Sequence, residues 1–133
     1  MTLVYNSILR QGADWRRRFY LKSRSGVPVN LEGATAACQV RIKAESTAVL
    51  MTPDVEIEAA DGVIQLSIPA SDSSALNLTG LPKGRVIEGQ LSEQGYLAVF
   101  DLEVKYADGT IRREVQGQLC ISPEVTRLGA TNG

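Results

Sequence analysis

Residues 96–127 read YLAVFDLEVKYADGTIRREVQGQLCISPEVTR. Apolar side chains recur at every second position over 98–106 and again, less regularly, over 111–121. This period of two is typical of strands that bury one face. Between the two runs, Asp108-Gly109 supplies the positive φ angles that a tight turn needs. The stretch therefore predicts a long β-hairpin. Leu97 and Val99 are apolar residues at the intervening positions, so their side chains point to the other face of the strand. We therefore expect the first strand of the hairpin to be buried on both faces near its start, by a neighbouring subunit.

The rest of the chain reads as short strands joined by turns. Alternation predicts strands over 15–22 and 35–43, and a second Asp-Gly hairpin over 55–68. Ser71 is a candidate N-cap for a single helical turn. Residues 79–95 hold four of the 12 glycines and are predicted to form a long central loop with a short strand inside it.

These elements predict an all-β fold, a small β-sandwich of the immunoglobulin-like or jelly-roll type with one short helical turn and a long central loop. We expect an N-terminal arm over 1–14, with a short edge strand as the alternative state of this segment, the sandwich domain over 15–127 and a flexible C-terminal tail over 128–133. Because the arm adds little to the alternating pattern, deletion of residues 1–11 is expected to weaken assembly and to leave the fold intact.

The amino-acid composition limits the classes of molecule that the protein is expected to bind. The 133 residues carry a net charge of -1, which argues against a general nucleic-acid or membrane-surface binder. No stretch approaches the roughly 20 apolar residues of a membrane span. Cys38 and Cys120 fall at apolar positions of predicted strands, where we expect buried free thiols, with a disulfide as the alternative.

Candidate catalytic and metal-binding groups are scarce. The chain has no histidine, and two isolated cysteines do not make a zinc ligand set. Asp101 and Glu103 share one face of a strand, as solvated acids of a half-buried sheet commonly do. No serine lies in a Gly-x-Ser-x-Gly setting. We therefore expect no catalytic residue, no cofactor and no metal, and a protein that is not an enzyme.

Seven basic and aromatic side chains form a candidate interaction surface, with core packing as the alternative for the three aromatic rings. Its members are Trp15, Arg16, Arg18, Tyr20, Lys83, Arg85 and Tyr96.

Two blocks of sequence carry a resemblance. The opening block consists of Gly12-Ala13-Asp14-Trp15, Phe19-Tyr20-Leu21, the run GVPVNLEG over 26–33 and the run AACQVR over 36–41. The closing block consists of Phe100-Asp101-Leu102-Glu103, Asp108-Gly109-Thr110, Gly117 and the run PEVTR over 123–127.

Together these blocks resemble the N-terminal β-domain of the phage baseplate upper protein family, with Asn30 and Glu32 in place of that pattern's usual Asp and Thr. The resemblance implies a non-enzymatic virion structural protein of a tailed bacteriophage. It would be an assembly module of the tail or baseplate that anchors or supports host-recognition fibre components. Its partners would be other phage structural proteins and copies of itself, without specific nucleic-acid binding or membrane insertion. Its location would be the virion, assembled in the bacterial host cytoplasm.

Two alternatives stay open. One is a decoration or cement protein on the phage capsid. The other is a carbohydrate-binding β-sandwich module, which needs exposed aromatic rings on one face. Trp15, Tyr20 and Tyr96 are the candidates for that face.

Overall fold

The computed structural model describes residues 2–125, which form two β-sheets and one short helix. The all-β sandwich predicted from the sequence is confirmed. In chain order the elements are β1 (Leu3–Val4), β2 (Ser7–Arg10), β3 (Trp15–Tyr20), β4 (Thr35–Arg41), β5 (Asp54–Glu58), β6 (Val63–Ile68), α1 (Ala70–Ser74), β7 (Lys83–Glu88), β8 (Leu91–Lys105) and β9 (Ile111–Ser122).

The main sheet is built around β8. This strand pairs antiparallel with β9 on one side, and with β7 and then β4 on the other. Strands β1 and β2 pair parallel with the far side of β9. The smaller sheet is antiparallel, in the order β3-β6-β5. Side chains between the two sheets form the core.

The predicted hairpin is confirmed as β8 and β9, which pair from Tyr96 opposite Ile121 to Lys105 opposite Ile111. At its turn, Gly109 has a φ of 89°, a left-handed conformation that glycine adopts without a steric penalty. The N–H of Thr110 donates to Asp108 Oδ1 at 2.9 Å. Phe100, Leu102 and Val104 of β8 point into the core.

Residues 7–10 belong to the main sheet, which corrects the arm expected over 1–14 and agrees with its alternative, a short edge strand. Strand β2 pairs with β9 from Ser7, opposite Leu119, to Arg10, opposite Ser122. Leu9 is fully buried, so the expectation that this segment contributes little to the core is wrong. Parallel pairing with a strand from the other end of the chain leaves no local turn signal, and four residues are too few to show a period. The predicted tail over 128–133 lies outside the described residues.

Residues 83–95 form a third hairpin, made by β7 and the start of β8, where the sequence predicted a long loop with one short strand inside it. Gly84 and Gly95 pair within it, and position 95 requires glycine because a Cβ there would lie 2.4 Å from the carbonyl oxygen of Ile121. Val86 of this hairpin packs against Ile8 and Cys120 on the outer side of the main sheet, with Leu97 beside them. Leu97 is therefore partly buried by this hairpin of the same chain, whereas Val99 stays half-exposed, and a covering neighbouring subunit stays a prediction.

The helix starts differently from its prediction. Its N-cap is Pro69, not Ser71, and the N–H of Ala70 donates to Asp14 Oδ1 at 2.8 Å. No helix within residues 2–125 is long and apolar enough to cross a membrane.

The two cysteines are free and buried, as expected. Cys38 lies in the core between the sheets, where burial raises the pKa of its thiol to about 12.

Candidate functional site

The seven residues of the predicted interaction surface do not share one environment. Trp15 is buried, so its place on that surface is wrong. Trp15 lies at a position of β3 whose side chain points into the core. Its ring packs edge-to-face on Phe100 with centroids 6.5 Å apart, and its Nε1–H donates to Ser7 Oγ at 3.0 Å. The aromatic face on which the carbohydrate alternative depended therefore loses its largest ring.

Three of the predicted residues lie on the solvent side of β3. Arg16, Arg18 and Tyr20 are exposed there. The Arg18 guanidinium lies 5.9 Å from the centre of the Tyr20 ring and donates to Glu58 Oε2 at 2.8 Å.

The remaining three lie on the main sheet. Lys83 Nζ lies 5.5 Å from the centre of the Tyr96 ring, which is half-buried against the core. Arg85 is exposed and donates to Ser92 Oγ at 2.9 Å. The structure thus divides the predicted surface between two sheets.

Sequence reasoning missed a polar cluster centred on Glu88, which we call the Glu88 cluster. Its other members are Tyr5, Ser7, Ile8 and Arg17. Arg17 donates to the carboxylate from Nε at 2.6 Å and from Nη2 at 2.9 Å. Ser7 Oγ donates at 3.0 Å, the N–H of Ile8 at 2.8 Å, and the Tyr5 hydroxyl also donates. The cluster joins the free edge of β2, an inward side chain of β3 and the end of β7.

The pKa values of the Glu88 cluster indicate a structural rather than a catalytic role. Burial by itself raises the pKa of Glu88, but hydrogen bonds from Arg17, Tyr5 and the Ile8 N–H outweigh it and lower the pKa to about 2. Burial and the neighbouring carboxylate raise the pKa of Tyr5. A carboxylate that is so strongly stabilised in its charged form is a poor general base near neutral pH. The Glu88 cluster therefore holds the hairpin of β7 and β8 in place.

A groove of about 390 Å³ lies on the solvent-facing side of the main sheet, and we call it the outer groove. Strand pairing explains its composition, since side chains of paired residues point to the same face. Val99 lies between Arg41 and Gln118, and Asp101 lies between Gln39 and Gln116. The polar side chains that line it include Asn6, Gln39, Arg41, Asp101, Gln116 and Gln118.

The two arginines of the outer groove differ in how their charge is matched. Arg113 Nε lies 3.3 Å from Asp101 Oδ2, and its Nη1 donates to Gln116 Oε1 at 3.1 Å. Arg41 donates to Ser46 O at 2.6 Å and to Gln39 Oε1 at 2.7 Å, both uncharged acceptors. Within residues 2–125, Arg41 forms no ion pair.

The sequence offered only a faint signal for this groove. Its side chains alternate with core residues and so read as the ordinary wet face of a half-buried sheet. The one distinguishing feature is that amides rather than Lys or Glu occupy positions 39, 116 and 118. Asp101 is half-exposed and paired with Arg113, and the described part of the chain contains no group of three or more potential metal ligands.

Comparisons with known proteins leave the family open. No family model matches the chain, and a search of curated proteins finds no significant relative. The similarity to the baseplate upper protein family therefore stays a prediction from the two sequence blocks.

Proposed function

We propose that the protein is a non-enzymatic virion module of a tailed bacteriophage, which helps to assemble the tail or baseplate and supports its host-recognition components. The observation that carries the assembly role is the strand β1. It pairs with β9 on one side, and its apolar side chains Leu3 and Val4 are 51% and 64% exposed. An edge strand with exposed apolar side chains is a template for pairing with another chain.

The sequence blocks that resemble the phage family support the virion setting. Within the described residues, the two blocks fall mainly on turns, loops and strands of the sandwich. Gly26 and Gly33, which bound the GVPVNLEG run, have φ angles of 84° and 76°, so this run is bounded by positions that favour glycine. The closing block from Phe100 to Gly117 lies on β8, β9 and the turn between them, which form the central pair of the main sheet, and residues 126–127 lie outside the described residues.

Counting the protein in purified virions tests the proposal. A tail or baseplate station predicts about six to a few dozen copies per particle, because these assemblies are closed and symmetric. Hundreds of copies would favour the capsid-decoration alternative, and absence from purified particles would overturn both. Particles that lack the protein should keep stable heads but fail to adsorb to the host, whereas heads that burst on heating would favour decoration.

A matched pair of variants tests the role of β1. Leu3→Glu places a charge on the exposed edge and should reduce incorporation into particles while the purified protein stays folded. Val27→Glu is the control, because Val27 is 58% exposed but lies in the connection between β3 and β4, outside the main sheet. Equal incorporation of the two variants would contradict an assembly role for β1.

A further inference from the structure

Arg41 presents an unmatched positive charge in a fixed position. Its contacts to Ser46 O and Gln39 Oε1 hold the guanidinium, which has five N–H donors in all, and they leave its charge uncompensated. A carboxylate fits the planar fork of a guanidinium with two parallel hydrogen bonds. The outer groove, with two guanidinium groups and the single carboxylate of Asp101, is therefore suited to an anion.

The amides of the outer groove suit hydroxyl groups. Asn6 Oδ1 accepts from the N–H of Gln118, and the side-chain oxygens of Gln39 and Gln116 accept from the two arginines. Among residues 2–125, no partner accepts from the side-chain nitrogens of these three amides, and the side chain of Gln118 makes no hydrogen bond. An amide both donates and accepts, as a sugar hydroxyl does.

The floor of the outer groove is apolar. Val99 is half-buried between Arg41 and Gln118 and offers a surface for the C–H side of a ring. The volume of about 390 Å³ lies within the range of small-molecule sites, about 300–1,000 Å³.

We propose that the outer groove binds a sugar unit that carries a carboxylate, with Arg41 contacting the carboxylate, the glutamines contacting hydroxyls and Val99 lying beneath the ring. An uncharged sugar would leave the positive charge of Arg41 without a partner, and a small inorganic anion would leave the side-chain amides without hydrogen-bond partners. This ligand goes beyond the assembly role and does not depend on it.

Calorimetric titration of the full-length protein with trigalacturonic acid and with its methyl ester tests the proposal. At neutral pH and low salt we expect saturable binding of the acid at one site, with the ester at least about tenfold weaker because it lacks the charge. Arg41→Gln should weaken binding of the acid by about tenfold, and Arg41→Lys by less.

Arg85→Gln is the matched control. Arg85 is exposed and, like Arg41, donates to uncharged acceptors, the side chains of Ser92 and Gln94. It lies outside the outer groove, so its loss should leave the affinity unchanged. Because Arg41→Gln also removes the contact to Ser46, Gln118→Ala provides a second variant, which should weaken binding about threefold or more without altering the melting temperature.

Three results would overturn the proposal: no binding of the acid, equal binding of acid and ester, or an equal loss in Arg85→Gln and Arg41→Gln. A concentration-dependent dimer that Gln118→Ala dissociates would also overturn it, because the outer groove would then be an interface between copies. None of these results changes the copy number in virions, so the failure of this proposal is distinguishable from the failure of the assembly role.

Discussion

Arg17 and Arg18 are neighbours on β3, and each forms an ion pair with a glutamate at nearly the same distance. Arg17 Nε lies 2.6 Å from Glu88 Oε2, and Arg18 Nη2 lies 2.8 Å from Glu58 Oε2. The side chains of the first pair are 29% and 10% exposed, and those of the second pair are 40% and 50% exposed.

Strand alternation causes this difference. Arg17 points inward beside Trp15, over whose ring its guanidinium lies at 5.3 Å, whereas Arg18 points to solvent. Glu88 also accepts hydrogen bonds from Tyr5, Ser7 and the Ile8 N–H, and Glu58 has no such partners among the described residues. Burial and shared donors, rather than the distance between charges, decide how much an ion pair contributes to stability.

The largest effect is expected from deletion of residues 2–11. It removes β2, with the buried Leu9, together with Tyr5, Ser7 and Ile8 of the Glu88 cluster. We expect a loss of more than about 5 kcal/mol, enough to abolish cooperative unfolding of an ordinary domain. Thermal melting followed by circular dichroism measures it, with Leu3→Ala at an exposed position of the same segment as the control. A truncated protein that melts like the full chain would contradict the position of β2 in the core.

Glu88→Ala should cost about 3–5 kcal/mol, because it leaves the partly buried Arg17 charge without its partner. Urea denaturation measures the change in the free energy of unfolding. Combining Glu88→Ala with Arg17→Ala should cost clearly less than the sum of the two single losses. Additive losses would show that the two charges do not interact.

Acidification should affect the same cluster. The pKa of Glu88 in the folded protein is about 2, below its ordinary value of 4.5. The stabilisation is therefore complete above about pH 5 and is lost as the pH falls towards 2, by about 2–3 kcal/mol. Urea denaturation at a series of pH values measures this loss, and Glu88→Gln should flatten the profile in this window. A profile unchanged by Glu88→Gln would assign the acid sensitivity to other carboxylates.

The smallest effect is expected for the exposed pair. Glu58→Ala should change the free energy of unfolding by less than about 1 kcal/mol, because solvent and salt screen the charges. The same urea measurement tests it, and the loss should shrink further at high salt. If Glu58→Ala were as costly as Glu88→Ala, burial would not be what separates the two pairs.

The local pattern was sufficient to predict much of the fold. The Asp-Gly turns at 61–62 and 108–109, the alternation of β8 with β9, and the two buried thiols all appear where the residues indicated. The parallel strand β2 was not predictable in this way, because its partner β9 lies at the other end of the chain. The hairpin over 83–95 was not predicted, because its glycines are typical of loops. In the structure, Gly95 instead allows the backbone of Ile121 to approach closely.

The core and the candidate sites differ in the same way, since local sequence predicts the first and tertiary structure decides the second. Alternation and turn chemistry are local, so the sequence by itself determined that the chain is a β-sandwich with Phe100 and Leu102 in its core. Only the tertiary structure decided that Arg17 meets Glu88 from 71 positions away. It also decided that Gln39, Arg41, Gln116 and Gln118 line one groove. Strand pairing brings distant residues onto one face, and the register that aligns them depends on the packing of the whole chain.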